Sequence, residues 1–310
     1  MAYLWFWCLR LLVKPVLSAR VPVGFQRAWG RLAALSLRGP KGAVYRAGRI
    51  ASVPSLTIDP ERYKPATGVL YLHGGAYVMG GFGSHRKLAA AIGDAAGARV
   101  WLPDYRLAPE HPHPAALNDA LAVYAALLAQ GQDPAQLTIA GDSAGAGLAL
   151  ELALAIRDAG LPSPAALVLL SPWADASLSG DSITSHRRRD PMLSAGWLRW
   201  AAQAYRGHGS DTDIAGSPLW AELSGLPPLL IQVGSEEILL SDAQRLQQRA
   251  LAAGADCQLQ HHPELWHVFQ LQYGWLDEAN QAVTAIGDFI RTKAALRCAN
   301  RAGTANSVNL

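Results

Sequence analysis

The chain has 310 residues, half of them hydrophobic and only 16% charged, with a formal net charge of +3. So apolar a composition excludes a disordered, collagen-like or coiled-coil protein and supplies a large core. The near balance of charge gives no basic field for nucleic acid, and the length allows about two domains at ~150 residues each.

Met1–Leu17, MAYLWFWCLRLLVKPVL, is strongly apolar and aromatic. Arg10 ends its uncharged run and Lys14-Pro15 interrupts the rest, so it falls short of the ~20 residues that span a bilayer. It has no basic stretch ahead of the apolar run and no small-residue cleavage site, so it does not read as a signal peptide. Two readings stand: an amphipathic helix over a pocket, the commoner use of such a stretch, and an interfacial membrane anchor. Cys8, Cys257 and Cys298 are odd in number and lie outside any CxxC pattern. Neither a disulfide framework nor a zinc site is expected, and reduced thiols suit a cytoplasmic protein.

From Val69 onward, short apolar runs alternate with helical patterns. The first strand, Val69–Leu72, ends in His73-Gly74-Gly75-Ala76. Acyl transfer needs two or three N–H donors aimed at a tetrahedral oxyanion, and small residues let backbone approach the substrate. The N–H groups of Gly75, Ala76 and, farther on, Ala144 meet that need, with Gly74 shaping the turn. A phosphate loop would require a Walker lysine or GxGxxG, and neither follows. Next come a helix over Lys87–Ala95, a strand over Ala98–Leu102, and a Pro-rich turn whose His111 and His113 lack metal-ligand partners. A helix over Ala115–Ala129 follows.

The strand Leu137–Ala140 runs into Gly141-Asp142-Ser143-Ala144-Gly145 and then a helix over Gly145–Ala159. Strand, Gly-x-Ser-x-Gly and helix in that order are the context of a nucleophile elbow. The glycines allow the tight turn, and Ser143 projects at a helix N-terminus that favours developing negative charge. Asp142 is read as bracing this turn with its short carboxylate.

After the strand Leu167–Leu170, the stretch from about Leu178 to Pro218 breaks the alternation, as do the first ~45 residues; such interruptions lie over ligand-binding edges as lids. His186-Arg187-Arg188-Arg189 within it reads as a solvated loop face. The strand Leu229–Val233 leads into Gly234-Ser235-Glu236-Glu237, a helix over Asp242–Ala253, a strand over Cys257–His261 and a closing helix over Glu278–Ala294. The tail after Arg297 is small and polar and is expected to fray.

A nucleophilic serine needs a base and the base an orienting carboxylate. His267, in the late loop Pro263–Phe269, is the best base of nine histidines. His261 and His262 point to opposite faces of a strand. Glu236, Glu237 and Asp242 compete as the acid, and Asp242 is better explained as a helix-start residue. The alternation as a whole predicts an α/β fold: a mostly parallel central sheet with helices on both faces.

These residues resemble the bacterial hormone-sensitive-lipase-like (family IV) esterases of the α/β-hydrolase superfamily. The resemblance runs from about Gly68 to Phe289. It is carried by His73-Gly74-Gly75-Ala76, Asp104-Tyr105-Arg106-Leu107-Ala108-Pro109-Glu110, Gly141–Gly145, Ser171-Pro172-Trp173, Asp190-Pro191-Met192 and Trp266-His267-Val268-Phe269. It implies the α/β-hydrolase fold with a helical cap made of residues 1–45 and 178–218 on a catalytic domain of 46–297, with 298–310 as a flexible tail. It implies a carboxylic-ester hydrolase with Ser143 as nucleophile, His267 as base and the backbone of Gly74, Gly75, Ala76 and Ala144 as the oxyanion hole. No metal or organic cofactor is implied. The family's usual aspartate stands three residues after a glycine; here Gly234 puts Glu237 there, with Glu236 the lesser candidate.

Acyl chains of about two to eight carbons are implied, a hydrophobic pocket adding ~0.8 kcal/mol per buried methylene. The HGGA form is associated with bulky alcohols. Trp5, Trp7, Trp197, Leu198 and Tyr205 are the apolar candidates for the cap side of the pocket, although core is the commoner place for any one of them. Tyr105, Arg106 and Glu110 read as loop-bracing, an arginine–carboxylate pair holding the loop. An amide or lactone hydrolase with the same triad, and a non-catalytic ligand-binding protein of the same fold, are the alternatives. A small-molecule ester and a second copy of the chain are the expected partners.

Overall fold

Apolar runs without alternation belong to strands covered on both faces, and the computed structural model places them so. It describes residues 1–61, 63, 67–207 and 216–307, with backbone alone from 300 onward. The order is α1 (Ala2–Cys8), continued by a π-turn over Leu9–Val13, α2 (Val23–Ala33), β1 (Val44–Ile50), β2 (Val53–Asp59) and β3 (Gly68–Leu72). Then follow α3 (Phe82–Ala96), β4 (Arg99–Pro103), α4 (Ala115–Ala129), β5 (Leu137–Asp142), α5 (Ala144–Asp158) and β6 (Ala166–Leu170). α6 (Ser182–Ser185), α7 (Ala195–Arg206), β7 (Leu229–Gly234), α8 (Leu240–Ala252), β8 (Cys257–His262) and α9 (Asp277–Ser307) complete the chain.

Among the described residues eight strands form one sheet in the order β1-β2-β4-β3-β5-β6-β7-β8. β2 pairs antiparallel with β1 and β4, and every pair from β4 to β8 is parallel. Every residue of β3, β5, β6 and β7 is buried. Leu70, Ile139, Leu167 and Ile231 pack on one face with α4, α5 and α8, while Val69, Ala140, Val168 and Leu230 meet α3 and α9 on the other. Each such Leu, Ile or Val contributes about 1.5–3 kcal/mol of burial. Register sets Leu72 beside Gly141, Asp142 beside Leu170, and Gly234 beside His262. The loops that follow these strands therefore open side by side on one sheet edge, where ligands bind in such folds.

The expected strands from β3 to β8 and the expected helices are present, α4 with the bounds read from its pattern. α3 starts at Phe82 rather than Lys87, because Gly80, Gly81 and Gly83 surround its start and its first turn carries no apolar stripe. β1 and β2 were not anticipated. β1 is exposed at six of its seven positions, and the two turn residues Ala51 and Ser52 take φ of 47° and 68° without the glycine or asparagine that marks such a turn. The stretch after Arg297, expected to fray, continues α9 as helix through Ser307, since its alanines favour helix and no proline interrupts it. Residues 208–215 of the insertion and 308–310 of the tail lie outside the described residues.

The two segments that break the strand–helix pattern bond to each other. Arg10 donates to the Arg188 carbonyl at 2.8 Å, Lys14 to the Asp190 carbonyl at 2.5 Å, and Trp197 Nε1 to Gln26 Oε1 at 2.8 Å. The basic run is thus not wholly solvated: its carbonyls receive the N-terminal helix, and Arg189 pairs with Glu236 (Nε to Oε2, 2.7 Å). Among the described residues no helix is long and apolar enough to cross a membrane.

Candidate active site

β5 delivers Ser143 to the sheet edge in a conformation that few side chains accept, φ 54° and ψ −122°. Backbone strain of this kind persists only where surroundings enforce it. Here the Ser143 N–H is held by the Leu170 carbonyl at 2.8 Å and its own carbonyl accepts from Trp173 N at 3.1 Å. Gly145 has to be glycine because a Cβ there would stand 2.1 Å from the Leu72 carbonyl oxygen. That contact packs the first turn of α5 directly onto the end of β3.

His267 Nε2 lies 2.9 Å from Ser143 Oγ, and His267 Nδ1 lies 2.7 Å from Glu237 Oε2. All three side chains are buried. Glu237 Oε1 accepts from Gly234 N at 2.7 Å and from the Ser171 hydroxyl at 2.8 Å. Ser171 Oγ in turn accepts from Val268 N at 3.0 Å, so one hydroxyl ties the carboxylate to the residue after the histidine. Asp190, also buried, accepts from Ile238 N at 3.0 Å and so fixes the backbone beside Glu237. Ser171 and Asp190 stand in motifs quoted above, but their bracing roles depend on contacts 97 and 48 residues away in sequence.

The other candidate acids go elsewhere. Glu236 faces Arg189, and that guanidinium, resisted by partial burial, holds its carboxyl below the usual range. Asp242 does sit in the first turn of α8, yet it is fully buried and does more than start a helix. It accepts from Ala174 N and Asp175 N at 3.1 and 3.0 Å and pairs with Arg245 at 2.9 Å. Burial, then the nearby Asp175 charge, push its carboxyl up to about 7 against that arginine.

Among the described residues the N–H groups of Gly75, Ala76 and Ala144 meet no acceptor of the protein. Gly75 carries φ +120°, with no room for a Cβ beside the Met79 carbonyl. Gly74, grouped with these donors from its motif, gives its N–H to Asp142 Oδ1 at 3.0 Å and is not free to bind an oxyanion. Asp142 also accepts from Tyr71 at 2.8 Å and contacts His85 Nε2 at 3.2 Å. Burial opposes its ionisation, but the His85 ring and the hydrogen bonds of His85 and Tyr71 prevail and hold its carboxyl below the ordinary value. The brace expected of Asp142 is present, and its reach extends to the glycine loop.

Around Ser143 and His267 lies a cavity of about 180 Å³, lined by Trp5 and Trp29 from the N-terminal segment, by Trp197 from α7, and by Met79 and His85. Trp7 points outward, Leu198 is core, and Tyr205 stacks on Tyr77 at 3.7 Å, so none of these three lines it. An alternating pattern cannot say which buried aromatic borders a void. Arg106 pairs not with Glu110 but with Asp119 at 2.7 Å, while Glu110 takes Arg27 of α2 at 2.7 Å and so ties α2 to the loop after β4. His113 binds Glu151 at 2.7 Å, and His261 is exposed. Among the described residues no three His, Cys, Asp or Glu side chains converge as metal ligands.

Burial alone would push the His267 imidazole down. The Glu237 carboxylate and its hydrogen bond, helped by Asp190 and Asp142, outweigh burial and raise its pKa above the ordinary 6.5. His73, buried beside His85, is pushed down to about 3 and stays neutral through any working pH. As a general base His267 would act only when unprotonated, which predicts that kcat/KM falls with decreasing pH through a midpoint above 6.5. A steady-state pH profile checks this. A midpoint at or below 6.5 would contradict the geometry of the His267–Glu237 pair.

A family model described as alpha/beta hydrolase fold matches residues 69–271. An acetyl-hydrolase of Streptomyces hygroscopicus is 45% identical over 267 residues, 86% of each chain. Among solved structures, an esterase from the bacterial hormone-sensitive lipase family superposes with a TM-score of 0.87 at 39% identity, covering 89% of this chain and 93% of that one. EstE5, another solved structure, superposes with a TM-score of 0.91 at 36% identity, covering 95% and 98%.

Proposed function

Because the chain belongs to the α/β-hydrolase family, in its bacterial hormone-sensitive-lipase branch, and is an esterase, we propose that it cleaves short- to medium-chain acyl esters through Ser143, His267 and Glu237. The observation that carries this reading is the unbroken chain from Ser143 Oγ through His267 to Glu237, 2.9 and 2.7 Å long, at the wall of an apolar cavity. His267 takes the Ser143 proton as the oxygen attacks the ester carbonyl. Gly75, Ala76 and Ala144 donate to the oxyanion, where fixed dipoles in a dry site count most. His267 then protonates the leaving alcohol, and the acyl group rests on Ser143 until water, activated by the same histidine, releases it. Glu237 holds the imidazole tautomer and offsets the imidazolium charge.

A cavity of about 180 Å³ is small beside the ~300–1,000 Å³ of drug-sized sites, which favours short chains. The Streptomyces relative's name, acetyl-hydrolase, points the same way. With p-nitrophenyl esters of increasing length, kcat/KM should rise about fourfold per methylene and then fall once the cavity is full. With an ester whose deacylation is rate-limiting, intact mass spectrometry should find one added acyl group, and peptide mapping should place it on Ser143. Turnover with no such adduct, or with the adduct elsewhere, would overturn the assignment.

A further inference from the structure

We infer that the outer face of the N-terminal cap is a docking surface for an anionic lipid bilayer. This goes beyond the esterase reading and does not depend on it.

Helix α1 and its continuation are apolar on every side except at Arg10, which bonds the Arg188 carbonyl, and much of that apolar surface is left uncovered by the protein. Trp5, Leu9 and Val13 border the cavity, while Tyr3, Leu4, Leu11 and Leu12 are each more than half exposed. The same division recurs in α2 and the turn after it. Trp29, Ala33 and Ala34 face the cavity, and Phe25, Leu32 and Leu35 face solvent, each also more than half exposed. Of the fourteen large hydrophobic side chains exposed among the described residues, nine fall within the first 35 positions. A cluster of that kind marks an interaction surface, whereas single exposed apolar residues mark nothing. The exposed positions recur at helical spacing, so they form stripes along the outside of both helices.

Charge says what the surface meets. Nine of the chain's 27 Lys and Arg precede Asp59, and none of its 24 Asp and Glu does. The remaining 18 cations are outnumbered by those 24 acids, so the chain's excess positive charge lies in its N-terminal segment. Arg20 and Lys41 are exposed there with no carboxylate partner among the described residues, and Arg38, also exposed, is held by the Gly274 carbonyl at 2.9 Å and by the Trp275 ring. Exposed aromatic and aliphatic side chains on a segment that carries cations and no acid match an anionic membrane interface: the rings and chains enter the headgroup boundary and the cations meet phosphates. A second copy of this chain would instead press two faces of the same charge together. Since α1 and α2 also wall the cavity, a bilayer on this face lies directly over the pocket.

The test is co-sedimentation of the full chain with vesicles of phosphatidylglycerol and phosphatidylcholine in equal parts, against phosphatidylcholine alone. The protein should pellet with the anionic vesicles, bind the neutral ones at least about tenfold more weakly, and be released by high salt. Leu4→Gln, Leu11→Gln and Leu35→Gln together, none lining the cavity, should weaken vesicle binding by about tenfold or more while hydrolysis of a soluble aryl acetate stays within about twofold. Failure to bind anionic vesicles, binding indifferent to these substitutions, or a dimer in sedimentation velocity that the substitutions split, would each overturn the proposal.

Discussion

Ser143→Ala is expected to lower kcat for aryl esters by about 10⁵-fold or more, with the fold retained. The hydroxyl is the only atom removed, and alanine occupies the same turn with its φ of 54° no worse than serine does. What remains is His267, now facing empty space, and the donors of the glycine loop, which together leave a residual rate above that of water. The cavity supplies its own control. Ser84 and His85 also line it, with Ser84 Oγ 2.7 Å from His85 Nδ1 and His85 Nε2 3.2 Å from Asp142, a second serine–histidine–aspartate chain. Ser84 lies inside the first turn of α3, its hydroxyl 3.1 Å from the Gly81 carbonyl, and it borders no strand-to-helix turn. Ser84→Ala is therefore expected to keep kcat within about tenfold. If the two variants exchange these outcomes in a steady-state assay, the nucleophile has been misassigned.

What the sequence could convey depended on whether a feature was local. The parallel strands were legible because burial on both faces leaves uninterrupted apolar runs, as in Ala166–Leu170. The β1–β2 hairpin was not, because an exposed edge strand is under no pressure to be apolar and its turn uses Ala51 and Ser52. Gly-x-Ser-x-Gly was legible because its first glycine answers a contact inside the motif itself, where a Cβ on Gly141 would stand 2.3 Å from the Gly145 carbonyl oxygen. Pairings across the fold were not. Arg106 finds Asp119, Glu110 finds Arg27, and Ser171 joins Glu237 to Val268, and no spacing rule announces any of these. The pocket wall was harder still. Trp197 and Tyr205 sit on one helix with similar burial, yet one borders the cavity and the other stacks on Tyr77.

Glu237→Gln should lower kcat by about 10⁴-fold while leaving KM within a few-fold, because an amide keeps the shape but not the charge. Without that charge the imidazole loses its largest upward influence, and burial alone pushes its pKa down. The acid limb of kcat/KM should consequently move below that of the native enzyme, a shift that a merely structural role would not produce. Glu237→Asp withdraws the carboxyl by one methylene from a position held at 2.7 Å from His267 and at 2.7 and 2.8 Å from Gly234 and Ser171. It cannot satisfy all three without moving the loop, so its rate should fall between the native and Gln values, with the raised limb preserved. Glu236→Gln weakens a half-buried pair with Arg189 and a hydrogen bond from the Ser235 hydroxyl, neither touching His267, and should leave kcat within a few-fold. Asp242→Asn disturbs a buried brace of the loop Ala174–Asp175, so it should act on thermal stability and leave the rate per folded molecule within about tenfold. Near-native kcat in Glu237→Gln, or a collapse of kcat in Glu236→Gln, would remove Glu237 from the catalytic chain whatever its distance from His267.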